Sequence, residues 1–349
     1  MDILGNLRRG AAGGTILCLA FMPARAEVRR ASCVVAPHGG DFASLQAAID
    51  SAPANSAGRF LILVKNGRYA SEKLIVPPDR KNITIRGESR SGTVISYCMS
   101  GSPPLADRAA MPPQMRARWE SDPAFAATSA TLTVLGDGFR LENLTIENTA
   151  GPRGQAQALT LLGDRLSFFG CDILGYQDTL YLWGEGRRSY FENCLIAGRT
   201  DYIYGGGVGY FQSCEIRSYG GGWITAPATP DGQKYGFVFR GCRFTYSQPS
   251  PRRGDDGRPV ALGRPWQKYP KVAILDSEMC AEIDPRGWPD KWRMDYADSS
   301  PRLRLLEHSN TGPGADMRRR SPWAGIRAMA PGEAEMYTPC RVLGGNWWR

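Results

Sequence analysis

Two aspartates stand in closely similar settings. Asp178 lies in Gly175-Tyr176-Gln177-Asp178-Thr179-Leu180-Tyr181, and Asp201 lies in Gly198-Arg199-Thr200-Asp201-Tyr202-Ile203-Tyr204-Gly205. They are 23 residues apart, the same interval that separates Cys171 from Cys194. If the cysteines mark equivalent places in a repeat, the two carboxylates lie one above the other on neighbouring turns. Carboxylates brought that close cannot both ionise cheaply, so one must be protonated or paired. This arrangement suits an acid working beside a nucleophile or base. A stacked pair of turn-capping aspartates has the same spacing, so spacing alone leaves both readings open.

Other side chains could complete such a centre. Gln155 and Gln157 lie about one turn before Gln177, and a side-chain amide can donate to a developing oxyanion. Arg264, in Leu262-Gly263-Arg264-Pro265-Trp266, cannot lose its proton and would keep a neighbouring aspartate charged. Trp266 offers either a flat sugar-stacking face or simple core packing. The chain has two histidines, His38 and His308, too few for a multi-histidine metal site and unfavourable for a Ser-His-Asp hydrolase. G-x-S-x-G, P-loop and C-x-x-C motifs are missing from the sequence. The chemistry must therefore be done largely without imidazole.

The elements that would position these residues show themselves as a repeat. Phe168, Phe191, Phe211 and Phe239 each begin an F-x-x-C-x-apolar unit, with cysteines at 171, 194, 214 and 242. Weaker copies centre on Leu144 and Ser277, giving intervals of 27, 23, 20, 28 and 35 residues. Short alternating units at such a period indicate a solenoid. The copies are not separated by a long helical pattern, which argues against a doubly wound α/β fold. A parallel β-helix fits, with strands stacked about 4.8 Å apart and Phe and Cys forming inward ladders. Phe60–Val64 and Asn82–Ile85 read as further strands, and Ala47–Ser51 as a short helix capping the solenoid. Residues 100–128 read as a long excursion. Residues 281–349 lose the repeat and are expected to pack along the outside of one single domain.

Composition bounds the setting. The 349 residues are 42% hydrophobic and 22% charged, with 41 glycines and 25 prolines, favouring turns and short strands. Arg8 and Arg9, the apolar stretch Gly10 to Phe21 and Ala24-Arg25-Ala26 read as a signal peptide over residues 1–26. That stretch is too short to span a bilayer, so no membrane anchor is expected. Formal charge is +9, and loss of Arg8, Arg9, Arg25 and Asp2 would leave +7. Export favours an acidic polysaccharide over nucleic acid as the partner of a basic protein. Cys194 and Cys214, on adjacent turns in an oxidising compartment, are the expected disulfide pair.

Taken together, four segments resemble the pectin methylesterase (pectinesterase) family. They are Gln155-Ala156-Gln157-Ala158-Leu159, Gly175 to Tyr181, Asp201-Tyr202-Ile203-Tyr204-Gly205 and Leu262-Gly263-Arg264-Pro265-Trp266, in the family's order. The likeness extends over roughly residues 40–349. It implies an all-β, right-handed parallel β-helix with long loops. It also implies release of methanol from methyl-esterified galacturonate units of pectin by an exported, periplasmic or extracellular monomer that needs no cofactor and no metal. Carried over by position, Asp201 is the nucleophile, Asp178 the acid/base, and Gln155 and Gln177 the oxyanion donors. Arg264 orients Asp201 and lowers its pKa, leaving Asp178 raised. Thr131, Trp266, Tyr181 and Tyr202 join Gln155 and Arg264 as substrate contacts. The family usually has phenylalanines where Tyr202 and Tyr204 stand, Asn or Asp at Gly206, and Tyr at Ala261; these departures bear on substrate preference. A pectate lyase or polygalacturonase on the same fold, a non-hydrolytic carbohydrate-binding solenoid, and an esterase for another ester are the competing readings.

Overall fold

The computed structural model describes residues 31–101, 113–121, 128–247, 257–292, 294–300 and 302–349. The signal-peptide reading over residues 1–26 and most of the 100–128 excursion lie outside them; within the latter a helix, Pro113–Ser121, is described. The strands wind into three parallel sheets of eleven, seven and eight strands. Each coil gives one strand to each sheet. Leu166–Phe169, Asp172–Leu174 and Leu180–Leu182 form one coil, and Arg188–Glu192, Leu195–Gly198 and Ile203–Gly205 the next. Every strand pairs with its counterpart one coil away. The result is a right-handed parallel β-helix. A helix Leu45–Asp50, N-capped by the Ser44 side chain, sits near its first coils, where an uncovered end of a solenoid needs closing.

The repeat makes physical sense in this winding. Phe168, Phe191, Phe211 and Phe239 are in register and wholly buried, with ring centroids 4.6, 4.7 and 4.6 Å apart. The residue before each cysteine takes the left-handed conformation that turns the chain from one sheet into the next. Gly170, Asn193, Ser213 and Gly241 have φ of 59°, 54°, 53° and 61°. The weaker copies do the same at Asn143 and Asp276, with φ of 54° and 51°. Gly, Asn and Asp tolerate that region best.

Two expectations need correction. Cys194 and Cys214 are free thiols, as are the other cysteines among the described residues. Strands stacked in parallel register point the two side chains the same way, not towards each other. Each thiol instead donates to the carbonyl two residues back: Cys171 to Phe169 and Cys194 to Glu192 at 3.4 Å, Cys214 to Gln212 at 3.4 Å. Ser277 makes the same bond to Leu275 at 2.8 Å in the copy that lacks cysteine. The C-terminal segment, in turn, only partly packs outside. Arg304–His308 and Ile326–Ala328 extend the eleven-stranded sheet, and Trp288 and Trp323 enter the main core. The outer packing begins near Met329. There a short helix Pro339–Leu343 and Trp348 cover an outward file of Tyr190, Tyr210, Val238 and Ala273.

Candidate active site

The seven-stranded sheet carries the polar residues singled out by sequence. Its strands Leu180–Leu182 and Ile203–Gly205 pair with Leu180 opposite Ile203 and Tyr181 opposite Tyr204. A bridge between Gln177 and Thr200 extends that register backwards, so Asp178 stacks on Asp201. Both aspartates are left-handed, with φ of 64° and 49°. The Asp178 amide donates to the Thr200 carbonyl at 3.1 Å, and that of Asp201 to the Trp223 carbonyl at 2.7 Å. The turn thus fixes both carboxyl groups at the mouth of the sheet, at a backbone cost that such sites commonly carry.

Arg264 grips Asp201 with two parallel bonds, Nε to Oδ1 at 3.0 Å and Nη2 to Oδ2 at 2.6 Å. This fork-to-fork geometry holds a carboxylate in one orientation. The guanidinium is itself clamped between two indoles, 4.0 Å from the Trp223 ring centre and 4.3 Å from that of Trp292. Gln155, Gln177, Asp178, Asp201, Tyr204, Arg264, Trp266 and Trp292 line one cavity of about 220 Å3. Two aspartates, two amides, one arginine and a tryptophan singled out by sequence are therefore brought together.

The two carboxyls differ electrostatically. Burial, then the negative charge of Asp201, pushes Asp178 up to about 8, against smaller downward pulls from Arg264 and Gln177. Asp178 is therefore protonated at neutral pH. Asp201 departs from the sequence expectation: it lies above, not below, its ordinary value. Burial outweighs the Arg264 bond and charge, and Asp290 adds to the rise. The two bonds and the charge of Arg264 oppose that rise and favour the ionised form of Asp201.

The Pectinesterase family model matches residues 32–107 and 115–346. The chain belongs to the pectinesterase family. It is 34% identical over 330 residues to pectinesterase/pectinesterase inhibitor 3 of Arabidopsis thaliana, covering 92% of this chain and 51% of that one. It thus spans about half the length of the plant relatives it matches there. The solved pectin methylesterase from carrot superposes with a TM-score of 0.78 at 30% identity, covering 93% of this chain and 96% of that one. A pectin methylesterase in complex with a hexasaccharide gives 0.70 at 28% identity, with 90% and 98% covered.

Two residues assigned by family position are placed elsewhere. Thr131 is wholly buried and its hydroxyl donates to the Glu147 carbonyl at 2.8 Å, so it does not face the cavity. Tyr202 is likewise buried in the core, its hydroxyl 2.9 Å from Ser218 Oγ. It turns inward just before the strand; Ile203, the first strand residue, also points into the core, and alternation from Ile203 sends Tyr204 outward. Tyr181 faces outward too, its ring stacked 4.4 Å from Tyr204. Gln157 stands in register beside Asp178 and donates to the Tyr204 hydroxyl at 2.7 Å. In the same register Gln155 falls opposite Tyr176, one residue before Gln177, but it still reaches the cavity. Sequence reading missed Trp223, Trp292 and the cavity role of Tyr204. Neither tryptophan lies in the four family-like segments, so nothing in their spacing pointed to the site.

Proposed function

We propose that this chain hydrolyses the methyl esters of galacturonate units in pectin, giving methanol and a free carboxylate. The observation that carries this reading is the register-stacked pair of a protonated Asp178 and an Arg264-held Asp201. A carboxylate fixed by a guanidinium fork can attack an ester carbonyl, while a neighbouring neutral carboxyl protonates the leaving group.

In the first step an Asp201 oxygen bonds to the ester carbonyl carbon, and the carbonyl electrons move onto its oxygen. Gln155 and Gln177 amides supply hydrogen bonds to that oxyanion. The bond to the methoxy oxygen then breaks, and Asp178 gives it a proton, so methanol leaves. What remains is an anhydride between Asp201 and the galacturonyl group. Water adds to the galacturonyl carbon, and the Asp178 carboxylate takes one water proton. The bond to Asp201 breaks, releasing the acid product and restoring both aspartates. The net reaction is ester plus water giving acid plus methanol. Trp266, at the edge of the cavity, provides a face for the sugar ring, and Tyr204 an adjacent aromatic wall.

The test is methanol release from highly methylated pectin by the purified protein and by Asp201→Asn. The wild type should release methanol without shortening the polymer. The variant, whose amide is a poor nucleophile, should lose at least about a thousandfold in kcat while melting as a folded protein. A folded Asp201→Asn variant keeping a tenth of wild-type turnover would show that the nucleophile lies elsewhere.

A further inference from the structure

Four polar side chains that the mechanism above does not use form one connected network ending at the cavity. The buried Asn148 amide donates to the backbone carbonyls of Ser129 at 3.0 Å and Gln157 at 2.8 Å, holding the two segments together. The buried Ser129 hydroxyl accepts from the Gln157 backbone amide at 3.2 Å and donates to the Gln157 side-chain oxygen. With its oxygen engaged there, the Gln157 amide turns its nitrogen the other way and donates to the Tyr204 hydroxyl at 2.7 Å. A phenol oxygen that accepts this bond must send its own hydrogen elsewhere. That hydrogen meets no protein acceptor among the described residues.

The bond carries the hydroxyl across the coil of Asp178. Gln157 stands in register with Asp178 one coil before it, and Tyr204 lies on the coil after it. The Tyr204 ring is pinned by stacking on Tyr181, with centroids 4.4 Å apart, and it lines the same cavity as Asp178 and Asp201. Burial, then the charge of Asp178, holds the phenol well above its ordinary value, against a downward pull from the Gln157 bond and with smaller upward pushes from Tyr181 and Asp201. The phenol therefore keeps its proton across the range in which Asp178 titrates, and can act there only as a donor. Asp178 is otherwise faced by Asp201, Arg264 and Gln177.

We propose that the Tyr204 hydroxyl donates a hydrogen bond to the Asp178 carboxylate once Asp178 has given its proton to the leaving methanol. Tyr204 is then a further catalytic residue, and Gln157 is the positioning residue that aims it. The inference rests on the esterase reading above for its reaction. Loss of the Asp178 proton creates a negative charge in a buried cavity, and a donor already oriented by Gln157 meets that charge without reorganisation. The phenol keeps its hydrogen throughout; only the hydrogen bond forms, and it breaks again when Asp178 takes a proton from water. A phenylalanine at this position would keep the ring and lack the donor.

Tyr204→Phe tests this, because it preserves the stacked ring and removes only the hydroxyl. In methanol release it should lower kcat about tenfold and leave KM within about twofold of wild type. The basic limb of its kcat/KM profile should move up by about one pH unit, since the Asp178 carboxylate has lost a donor. Infrared titration of the protonated Asp178 carboxyl, with Asp178→Asn as the blank, should show the same upward shift without any turnover. Gln157→Met should shift the midpoint in the same direction by less, and adding it to Tyr204→Phe should shift it no further. An unmoved infrared midpoint in folded Tyr204→Phe would overturn the inference, as would a raised KM with unchanged kcat, or full additivity of the two substitutions. The two readings fail separately. A wild type that released no methanol would remove the esterase reading, while a shifted midpoint would still support the hydrogen bond. An unshifted midpoint would remove the hydrogen bond even in an enzyme that released methanol.

Discussion

At the scale of single residues, the site depends on two like groups held in unlike surroundings. Asp178 faces Asp201, Arg264, Gln177 and the hydroxyls of Tyr181 and Tyr204, and the charge of Asp290 acts on Asp201. Burial and the Asp201 charge raise Asp178 to about 8 from an ordinary 3.8. If Asp178 protonates the leaving methanol as proposed, kcat/KM should fall as pH rises through about 8. The same shift makes a stability prediction. A carboxyl whose folded value is raised contributes stability that is complete below its unfolded value and is lost as pH climbs through the folded one. Asp178→Asn removes this dependence. Its melting temperature relative to wild type should rise steadily between the ordinary 3.8 and about 8, then level off. A difference that stays constant across that window would mean that Asp178 titrates normally. Arg264→Lys probes the other carboxyl. Lysine keeps the charge but cannot supply the two parallel bonds or stack flat between Trp223 and Trp292. It should lower kcat about a hundredfold or more while leaving the protein folded, as a methanol assay beside a melting curve would show.

At the scale of elements, what was legible in the sequence was what recurs. Phenylalanine and cysteine ladders repeat because each coil refills the same slot, so equal intervals predicted that Asp178 would stack on Asp201. The family motifs carried the glutamines, Arg264 and Trp266 to the same cavity. Three things were not legible, for separate reasons. The inward or outward sense of Tyr202 and Tyr204 is set by where the turn ends and the strand begins, which motif position alone does not reveal. The strand begins at Ile203, after the left-handed Asp201 with φ of 49°. The indole clamp on Arg264 comes from two distant segments, and Trp292 lies where the repeat has ended. The sign of the Asp201 shift depended on burial, which spacing does not report. Cysteine chemistry follows the same distinction between position and direction. Adjacent coils bring Cys194 and Cys214 close, yet both thiols donate to their own strand's carbonyls, and burial holds thiols such as Cys171 and Cys214 protonated. Labelling residues 27–349 under denaturing, non-reducing conditions should therefore find all eight cysteines of Cys33 to Cys340 reactive. A count of six would reveal a bridge.

At the scale of the whole molecule, the proposed reaction would change how the substrate meets the protein's charge. The chain is basic, with 43 Lys and Arg against 34 Asp and Glu, for a formal charge of +9. On the proposed esterase reading, fully methylated pectin is nearly neutral, so this charge attracts it little and uncharged contacts would have to hold it. Each ester removed leaves one carboxylate, and the polymer becomes a polyanion drawn to the protein by its long-range field. Added salt should separate the two regimes, because screening shortens the reach of charge to about 3 Å at 1 M from about 10 Å at 0.1 M and leaves apolar contacts largely intact. Raising ionic strength from about 0.05 to about 0.5 M should increase KM severalfold for half-de-esterified pectin and by less than about twofold for fully esterified pectin. Initial rates on the two polymers across a salt series would measure this. Parallel slopes would mean that the positive charge plays no part in holding the substrate. A steep slope for the acidic polymer alone would mean that the protein binds its own product through charge, so that low salt retains it on chains already partly cut and higher salt releases it to fresh ester blocks.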